Sequence, residues 1–441
     1  MTKQVDPSLS LVPEMAKRER QASSRWAFAE PCIWTERMLS ALEEGVQGGK
    51  WYSLCDKAFS LETLRVCFGK VKANAGSPGI DGCTISRFER HLDQELARIS
   101  SDLLSGTYRA QGIKRVWIPK PGSREKRQLG IPTVRDRVVQ TALRAALEPI
   151  FEQVFLDNNF GYRPGRSCHK ALSRVWRALN SGKVYVVDAD LKACFDTIPH
   201  DLIMRGLKEK VSDGKILGLV QAYLSQGVME SGFERTSREG TPQGSVISPL
   251  LSNIALHGLD CLAQEEGYEL IRYADDFVVL CTSSEEAQAA LASVKDWTTR
   301  NGLMLHPSKT RLVDYGQGES FDFLGFTFKQ GGLGPRKKAI GNLRSKVRDK
   351  TPRLSGKSLK AIVSDLNPIL RGWWRYFRAS PEHVFREGDY FVRKRLRVIL
   401  DRRSGRKHHH RSGACLRWPN AVFEKAGLIS MQALSKAQSS R

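Results

Sequence analysis

The stretch IRYADDFVVL, residues 271–280, decides how the rest of the chain reads. Its β-branched and aromatic residues run up to two adjacent carboxylates, Asp275 and Asp276, and resume immediately after them. That pattern predicts a strand, a tight turn and a returning strand with both acids at the tip. An acidic turn by itself calls for no chemistry, because Asp favours turns through hydrogen bonds to its own backbone.

A second acidic site lies upstream. The strand-like run Val184-Tyr185-Val186-Val187 ends in Asp188-Ala189-Asp190 and continues as LKACFD, residues 191–196. Three carboxylates on neighbouring strand tips can hold two divalent ions about 4 Å apart, one activating a 3′-hydroxyl and one stabilising a leaving pyrophosphate. A solvated strand end or a helix cap accounts for Asp188 and Asp196, which are read as supporting groups. Asp190 is the stronger ligand candidate.

These residues carry a family resemblance. Asp190-Leu191-Lys192 with Phe195-Asp196, then GTPQGSVISPLL (240–251), then Tyr273-Ala274-Asp275-Asp276 follow the order and spacing of a group II intron-encoded reverse transcriptase, which the chain resembles. Gly79-Ile80-Asp81-Gly82, Ile118-Pro119-Lys120, RQLGIP (127–132), FGYRPG (160–165), LHPSKT (305–310) and Phe323-Leu324-Gly325-Phe326 agree with it. The resemblance covers roughly residues 35 to 430.

It implies an α+β right-hand polymerase, with fingers and a mainly antiparallel palm sheet, followed by an α-helical thumb or maturase domain and a short basic tail. The expected divisions are a poorly ordered segment over 1–33, fingers and palm over 34–330, thumb over 331–403 and a DNA-binding tail over 404–441. Asp190, Asp275 and Asp276 are the implied catalytic ligands of two Mg²⁺ ions, with deoxynucleoside triphosphates as substrates. Lys120 and Arg127, on either side of the Pro121-Gly122 turn, suit a triphosphate by point charge and by forked hydrogen bonds respectively. Phe195 stands where the family sets an aromatic under the sugar, with core packing as the rival reading. Gln243 and Lys309 complete the implied nucleotide contacts, against the alternatives of a turn amide and a surface lysine. Ser245 departs from the glycine that many relatives carry after Pro-Gln-Gly, and Cys194 is a second departure.

Composition supports a polyanionic partner independently of the resemblance. The formal charge is +23, and it is uneven: residues 331–441 hold 27 Lys plus Arg against 7 Asp plus Glu, leaving only +3 for residues 1–330. A near-neutral body with a strongly basic arm suits nucleic-acid binding. No apolar stretch approaches the roughly 18 residues of a membrane-spanning helix, and the amino terminus has no apolar signal core, so a cytoplasmic protein is expected. The nine cysteines are scattered without a Cys-x-x-Cys pair, and only Cys415 follows residue 281. Reduced thiols are therefore expected, as is the absence of the cysteine-paired DNA endonuclease that some relatives carry.

Leu61, Leu64, Phe68 and Val71 recur at helix spacing and are read as core, and a helical pattern begins near Trp34, Met38 and Leu42. Asn367-Pro368 reads as a helix start. From there to about Arg378, Ile369, Leu370, Trp373, Tyr376 and Phe377 share one face, while Arg371, Arg375 and Arg378 share the other. LRGWWRYF (370–377) resembles the maturase domain of the same family. A second basic helix, from Tyr390 to about Arg402, sets Val392, Leu396 and Ile399 against Arg393, Lys394 and Arg397. Those six cations of the two helices are the RNA-binding candidates. Arg402, Arg403, Arg406 and Lys407 in RRSGRKHHHR (402–411) are the DNA-binding candidates. A zinc site at His408, His410 and Cys415 lacks a fourth well-spaced ligand and sits among cations. WPNAVF (418–423) and Gly427-Leu428 resemble a short terminal module that some relatives use on DNA.

The resulting expectation is an RNA-directed DNA polymerase and maturase that binds group II intron RNA and target DNA, assists splicing and copies the intron. Two alternatives remain: a maturase-only RNA-folding cofactor with a vestigial polymerase, and a host-adopted reverse transcriptase in DNA repair or defence.

Overall fold

The computed structural model describes residues 25–119, 126–226, 228–230, 233–235, 239–404 and 415–439. Its strands in chain order are β1 (Ile113–Pro119), β2 (Lys126–Ile131), β3 (Tyr185–Asp190), β4 (Val228–Glu230), β5 (Phe233–Arg235), β6 (Glu269–Tyr273), β7 (Asp276–Cys281), β8 (Arg311–Asp314), β9 (Phe321–Phe323), β10 (Phe326–Lys329) and β11 (Gly332–Pro335). They form three sheets, ordered β2-β1-β4-β5, β6-β7-β3-β8 and β11-β10-β9. The central sheet is antiparallel throughout.

That sheet is covered on both faces, which is why its strands read as nearly continuous apolar runs. Val187, Ala189, Phe277 and Val279 face a large core built with the helices Ser248–Glu265 and Ser284–Arg300. Val186, Ile271, Val278 and Leu280 face a second core made by β9, β10 and the carboxyl-terminal helices. Because successive side chains alternate across a strand, Asp188, Asp190 and Asp276 fall on the second face, in line with Val186 and Val278. The sheet thus carries its acids at the end of a strip that is otherwise packed.

Towards the amino end, the helices Leu61–Ala73, Leu92–Ser105 and Val134–Glu152 pack together through Leu64, Phe68, Val71, Leu96, Val138 and Leu143. Three of the four residues expected there as core are buried, but Leu61, at the first position of its helix, is 50% exposed. The segment 1–33, expected to be poorly ordered, requires a correction for its described part: Trp26 and Ile33 are buried in the main core. The indole of Trp26 donates to Glu43 at 2.9 Å, and that of Trp34 to the Ala145 carbonyl at 3.0 Å.

The basic carboxyl-terminal region forms the helices Lys337–Lys350, Leu359–Phe377 and Glu382–Arg403, with two shorter helices, Asn420–Lys425 and Met431–Ser439. The expected helix start at Asn367-Pro368 is not one. The helix begins at Leu359, where the hydroxyl of Ser358 accepts from the Ala361 amide, and Pro368 lies inside it. An interior proline forfeits one backbone hydrogen bond; burial of Ile362, Val363, Leu366 and Leu370 on either side of it outweighs that loss. Asn367 instead bridges to the terminal module, donating to the Gly427 carbonyl at 2.8 Å and accepting from the Ile429 amide at 3.1 Å. The following helix likewise starts earlier than Tyr390, while Val392, Leu396 and Ile399 are buried as its stripe predicts. Among the described residues, no helix is long and apolar enough to cross a membrane.

Candidate active site

The acidic hairpin brings the two sequence sites together. β6 and β7 pair Tyr273 with Asp276 across a two-residue turn, Ala274-Asp275, and β7 pairs with β3 so that Asp276 stands opposite Asp190. Ala274 takes φ 60°, the left-handed value that such a turn demands at its first central position and that β-carbons disfavour. The amide of Leu191 then reaches the Asp275 carbonyl at 3.4 Å. All three carboxylates therefore lie at adjoining strand tips.

Burial and neighbouring carboxylates hold two of them, Asp275 and Asp276, above the ordinary carboxylate range. Burial, and then the charges of Asp190, Asp188 and Asp275, push the Asp276 carboxyl up to about 7. Burial and Asp190 also raise Asp275. Asp188 is held by Arg311 at 3.1 Å, and Asp190 is ion-paired with Lys309. Among the described residues, no group of three or more His, Cys, Asp or Glu side chains is placed to hold a metal ion by itself. Magnesium does not require one, since it keeps several waters and takes one or two carboxylates together with substrate phosphates. Hard oxygen donors carrying more negative charge than neighbouring cations neutralise are the donor set such an ion prefers.

The other motif blocks meet around the hairpin through their backbones. The Gly130 amide donates to the Gln243 carbonyl at 2.6 Å, Thr241 to Phe195 at 2.6 Å, Gly240 to Ile198 at 2.7 Å and His306 to Asp190 at 2.8 Å. Gln243 donates through its side chain to Asp196 at 3.1 Å. Ser245, the departure from glycine, donates its hydroxyl to Gln140 at 2.8 Å, so the extra group is buried and paired. Phe195 is half-buried, edge-on to Tyr162 with ring centres 6.5 Å apart, and Tyr162 in turn leans on Tyr273 at 6.1 Å. Arg127 is exposed on β2; its charge opposes the rise that burial and Asp275 impose on the Tyr162 phenol. Lys120 lies outside the described residues.

The sequence model of the reverse transcriptase (RNA-dependent DNA polymerase) family matches residues 118–328, and that of the group II intron maturase-specific domain matches residues 340–417. The chain joins a reverse transcriptase domain to a group II intron maturase domain. It is 35% identical over 239 residues to Protein YkfC of Escherichia coli (strain K12), covering 53% of this chain and 59% of that protein. It is 40% identical over 168 residues to the group II intron-encoded protein LtrA of Lactococcus lactis subsp. cremoris, covering 38% of this chain and 28% of that one. The chain thus spans less than two thirds of the length of either relative. Among solved structures, a chain of a partial Cas6-RT-Cas1--Cas2 complex is 25% identical over 56% of this chain and 41% of that one, with a TM-score of 0.36.

In the maturase domain, Arg371, Arg375, Arg378 and Lys394 are exposed and Arg393 is half-exposed. Arg397, expected beside them as an RNA contact, is corrected: it is buried, donates to the Trp418 carbonyl at 2.9 Å and to Asn420 at 2.8 Å, and lies over the Phe423 ring. Its position on the packed flank of the helix commits it to docking the terminal module. Arg402 is exposed; Arg403 is exposed but donates to the carbonyls of Ser355, at 2.8 Å, and Lys357. Arg406, Lys407, His408 and His410 lie outside the described residues. Trp373, placed on the apolar face of its helix, packs against Phe377 and Phe385.

Three residues escaped the sequence reading. Arg272 is fully buried in β6, where it donates to both oxygens of Asp260, to Asn253 at 3.1 Å and to the Ala274 carbonyl at 3.0 Å. The available signal was a charged residue inside an apolar strand of a sheet covered on both faces. Nothing in the sequence named its partners, which lie on a helix.

Proposed function

We propose that this protein is an RNA-directed DNA polymerase that also serves as a maturase, binding group II intron RNA in the cytoplasm, assisting its splicing and copying it from a target-DNA primer. The observation that carries the reading is Asp190 opposite Asp276 with Asp275 at the adjoining turn, three oxygen donors at one sheet end. Two bound divalent ions would supply activation of the 3′-hydroxyl and neutralisation of the leaving pyrophosphate. Asp190, Asp275 and Asp276 would hold them. Lys309, with Arg127 and Lys120, offsets the triphosphate charge. Phe195, braced edge-on by Tyr162, closes the space beside the sugar C2′ and so favours deoxynucleotides. Gln243, anchored on Asp196, steadies the pairing end of the nucleotide or template.

Catalysis of this kind is positioning and charge stabilisation with no covalent intermediate on the protein. The exposed cations Arg371, Arg375, Arg378, Arg393 and Lys394 grip RNA phosphates, and Arg402, Arg403, Arg406 and Lys407 grip target DNA. Primer extension on an RNA template with Mg²⁺, comparing the native chain with Asp275→Asn/Asp276→Asn, tests the reading. Extension lost in the variant with intron-RNA binding retained supports it. Tight RNA binding by a native protein that never extends a primer leaves only the RNA-folding cofactor.

A further inference from the structure

Resting on that reading, we propose that Asp260, Arg272 and Asn253 form a positioning unit that holds the metal-binding turn and the Tyr162 wall of the nucleotide pocket at one fixed separation. The unit begins on the helix Ser248–Glu265, where Asn253 and Asp260, two turns apart, share the face turned towards β6. Arg272 reaches across to both. Its Nε donates to Asp260 at 2.7 Å, its Nη2 closes the second arm of the fork, and its Nη1 is shared between Asn253 at 3.1 Å and the carbonyl of Ala274 at 3.0 Å. Asn253 passes the connection on by donating to the Gly161 carbonyl at 2.7 Å. Arg272 and Asp260 show no exposure and Asn253 is 1% exposed, so water relieves none of these groups.

The two carbonyls at the ends of the unit are not ordinary ones. Ala274 has φ 60° and is followed by Asp275; Gly161 is followed by Tyr162, which has φ 56°. Each end therefore meets a left-handed, non-glycine residue, a conformation that persists only where its surroundings over-determine it. Backbone bonds tie the same two segments again, Phe160 to the Arg272 carbonyl at 2.8 Å and Arg272 to the Asn158 carbonyl at 2.9 Å. A buried ion pair is a poor device for stability, because an apolar group of similar volume packs as well without the cost of desolvation. What a guanidinium adds is direction. Its planar fork, locked on Asp260, aims the remaining donors at fixed points. A shift of the Ala274 carbonyl moves Asp275 against Asp190 and moves Tyr162, and with it Phe195, against the sugar. Metal affinity and sugar selection are thereby coupled through one residue that touches neither.

The test uses the full chain carrying Arg272→Gln/Asp260→Asn, which replaces the charged pair by neutral polar groups, the first of them shorter than the guanidinium, and leaves no unpaired buried charge. Mn²⁺ binding is read by electron paramagnetic resonance in the absence of nucleotide, and deoxynucleotide against ribonucleotide use is read by primer extension, alongside the melting temperature and RNA affinity. The expected result is a folded protein with a lowered melting temperature and RNA affinity close to native, with Mn²⁺ bound about tenfold or more weakly and discrimination against ribonucleotides reduced. A folded variant with native Mn²⁺ affinity and native discrimination overturns the proposal and makes the unit ordinary core. Should the double variant fail to fold, Asn253→Ala cuts the Gly161 arm and the Arg272–Asn253 bond while leaving the Asp260 fork and the Ala274 arm in place; lost discrimination with Mn²⁺ binding retained supports the proposal, and unchanged discrimination overturns it. A native protein that binds Mn²⁺ but extends no primer fails the polymerase reading alone, since the Mn²⁺ comparison between native and variant chains still decides this one.

Discussion

Gly161 lies against the backbone of Ala274 so closely that a β-carbon added to it would sit 2.3 Å from the Ala274 amide nitrogen and 3.0 Å from the Tyr273 carbonyl carbon. Backbone cannot step aside as a side chain can, so Gly161→Ala displaces the turn that carries Asp275 and Asp276. We expect a loss of about 1–3 kcal/mol in stability and a fall of at least about tenfold in primer extension, with intron-RNA binding unchanged. Native melting and native extension in that variant would show that the contact is slack.

Asp276 sets a pH dependence whose sign is opposite to that of a salt-bridged carboxylate. Its ordinary value is 3.8 and burial among other carboxylates raises it to about 7. The folded chain therefore holds this proton more tightly than the unfolded chain, and stability present below about pH 4 is lost as the pH rises to about 7. In the metal-free protein, Asp276→Asn removes that loss: the variant should melt above the native chain at pH 8 and level with it at pH 4. A native protein whose melting temperature climbs relative to the variant across that interval contradicts the assignment.

Lys309 is paired with Asp190. Lys309→Ala should let the carboxylates take Mn²⁺ more tightly, by up to about fivefold for a pair this exposed, while raising KM for deoxynucleoside triphosphates. Calorimetric Mn²⁺ titration separates the two effects from extension kinetics. Weaker ion binding in the variant would assign Lys309 a supporting place at the metal site and remove the competition argued here.

Arg397 and Arg371 are chemically alike and structurally opposite. Arg397→Ala removes the donors to Trp418 and Asn420 and uncovers Phe423; a loss of about 2–4 kcal/mol is expected, and protease should reach residues 418–423 sooner. Arg371→Ala leaves the stability within about 0.5 kcal/mol of native, but weakens RNA binding and lowers its salt dependence by about one counterion. Equal melting temperatures for the two variants would return Arg397 to the RNA-facing set.

Much of the site was open to a sequence reading because its chemistry is local. Paired acids at a strand tip, glycine- and proline-marked turns, and an apolar stripe such as Val392, Leu396 and Ile399 are consequences of residue type and of the 2.0 and 3.6 periods. The order of motifs on the chain was enough to name the polymerase-like body and the basic arm. Element starts were less legible: Pro368 looked like a helix boundary because local propensity excludes it from an interior, and a broad buried face overrode that preference.

What the sequence alone determined is therefore which groups are present and how each strand or helix divides into faces. The tertiary structure decided which groups meet. Asp190 reaches Asp276 only through the pairing of β3 with β7; Gly161 needs its bare α-carbon only because Ala274 arrives from more than a hundred residues away. Arg272 becomes a buried fork and Arg397 a docking pin through partners on other elements, although in sequence one is a lone arginine in an apolar strand and the other one cation in a basic run. Long-range packing puts charge next to charge and backbone next to backbone without leaving a period in the chain, and the close approaches that shape this site are all of that kind.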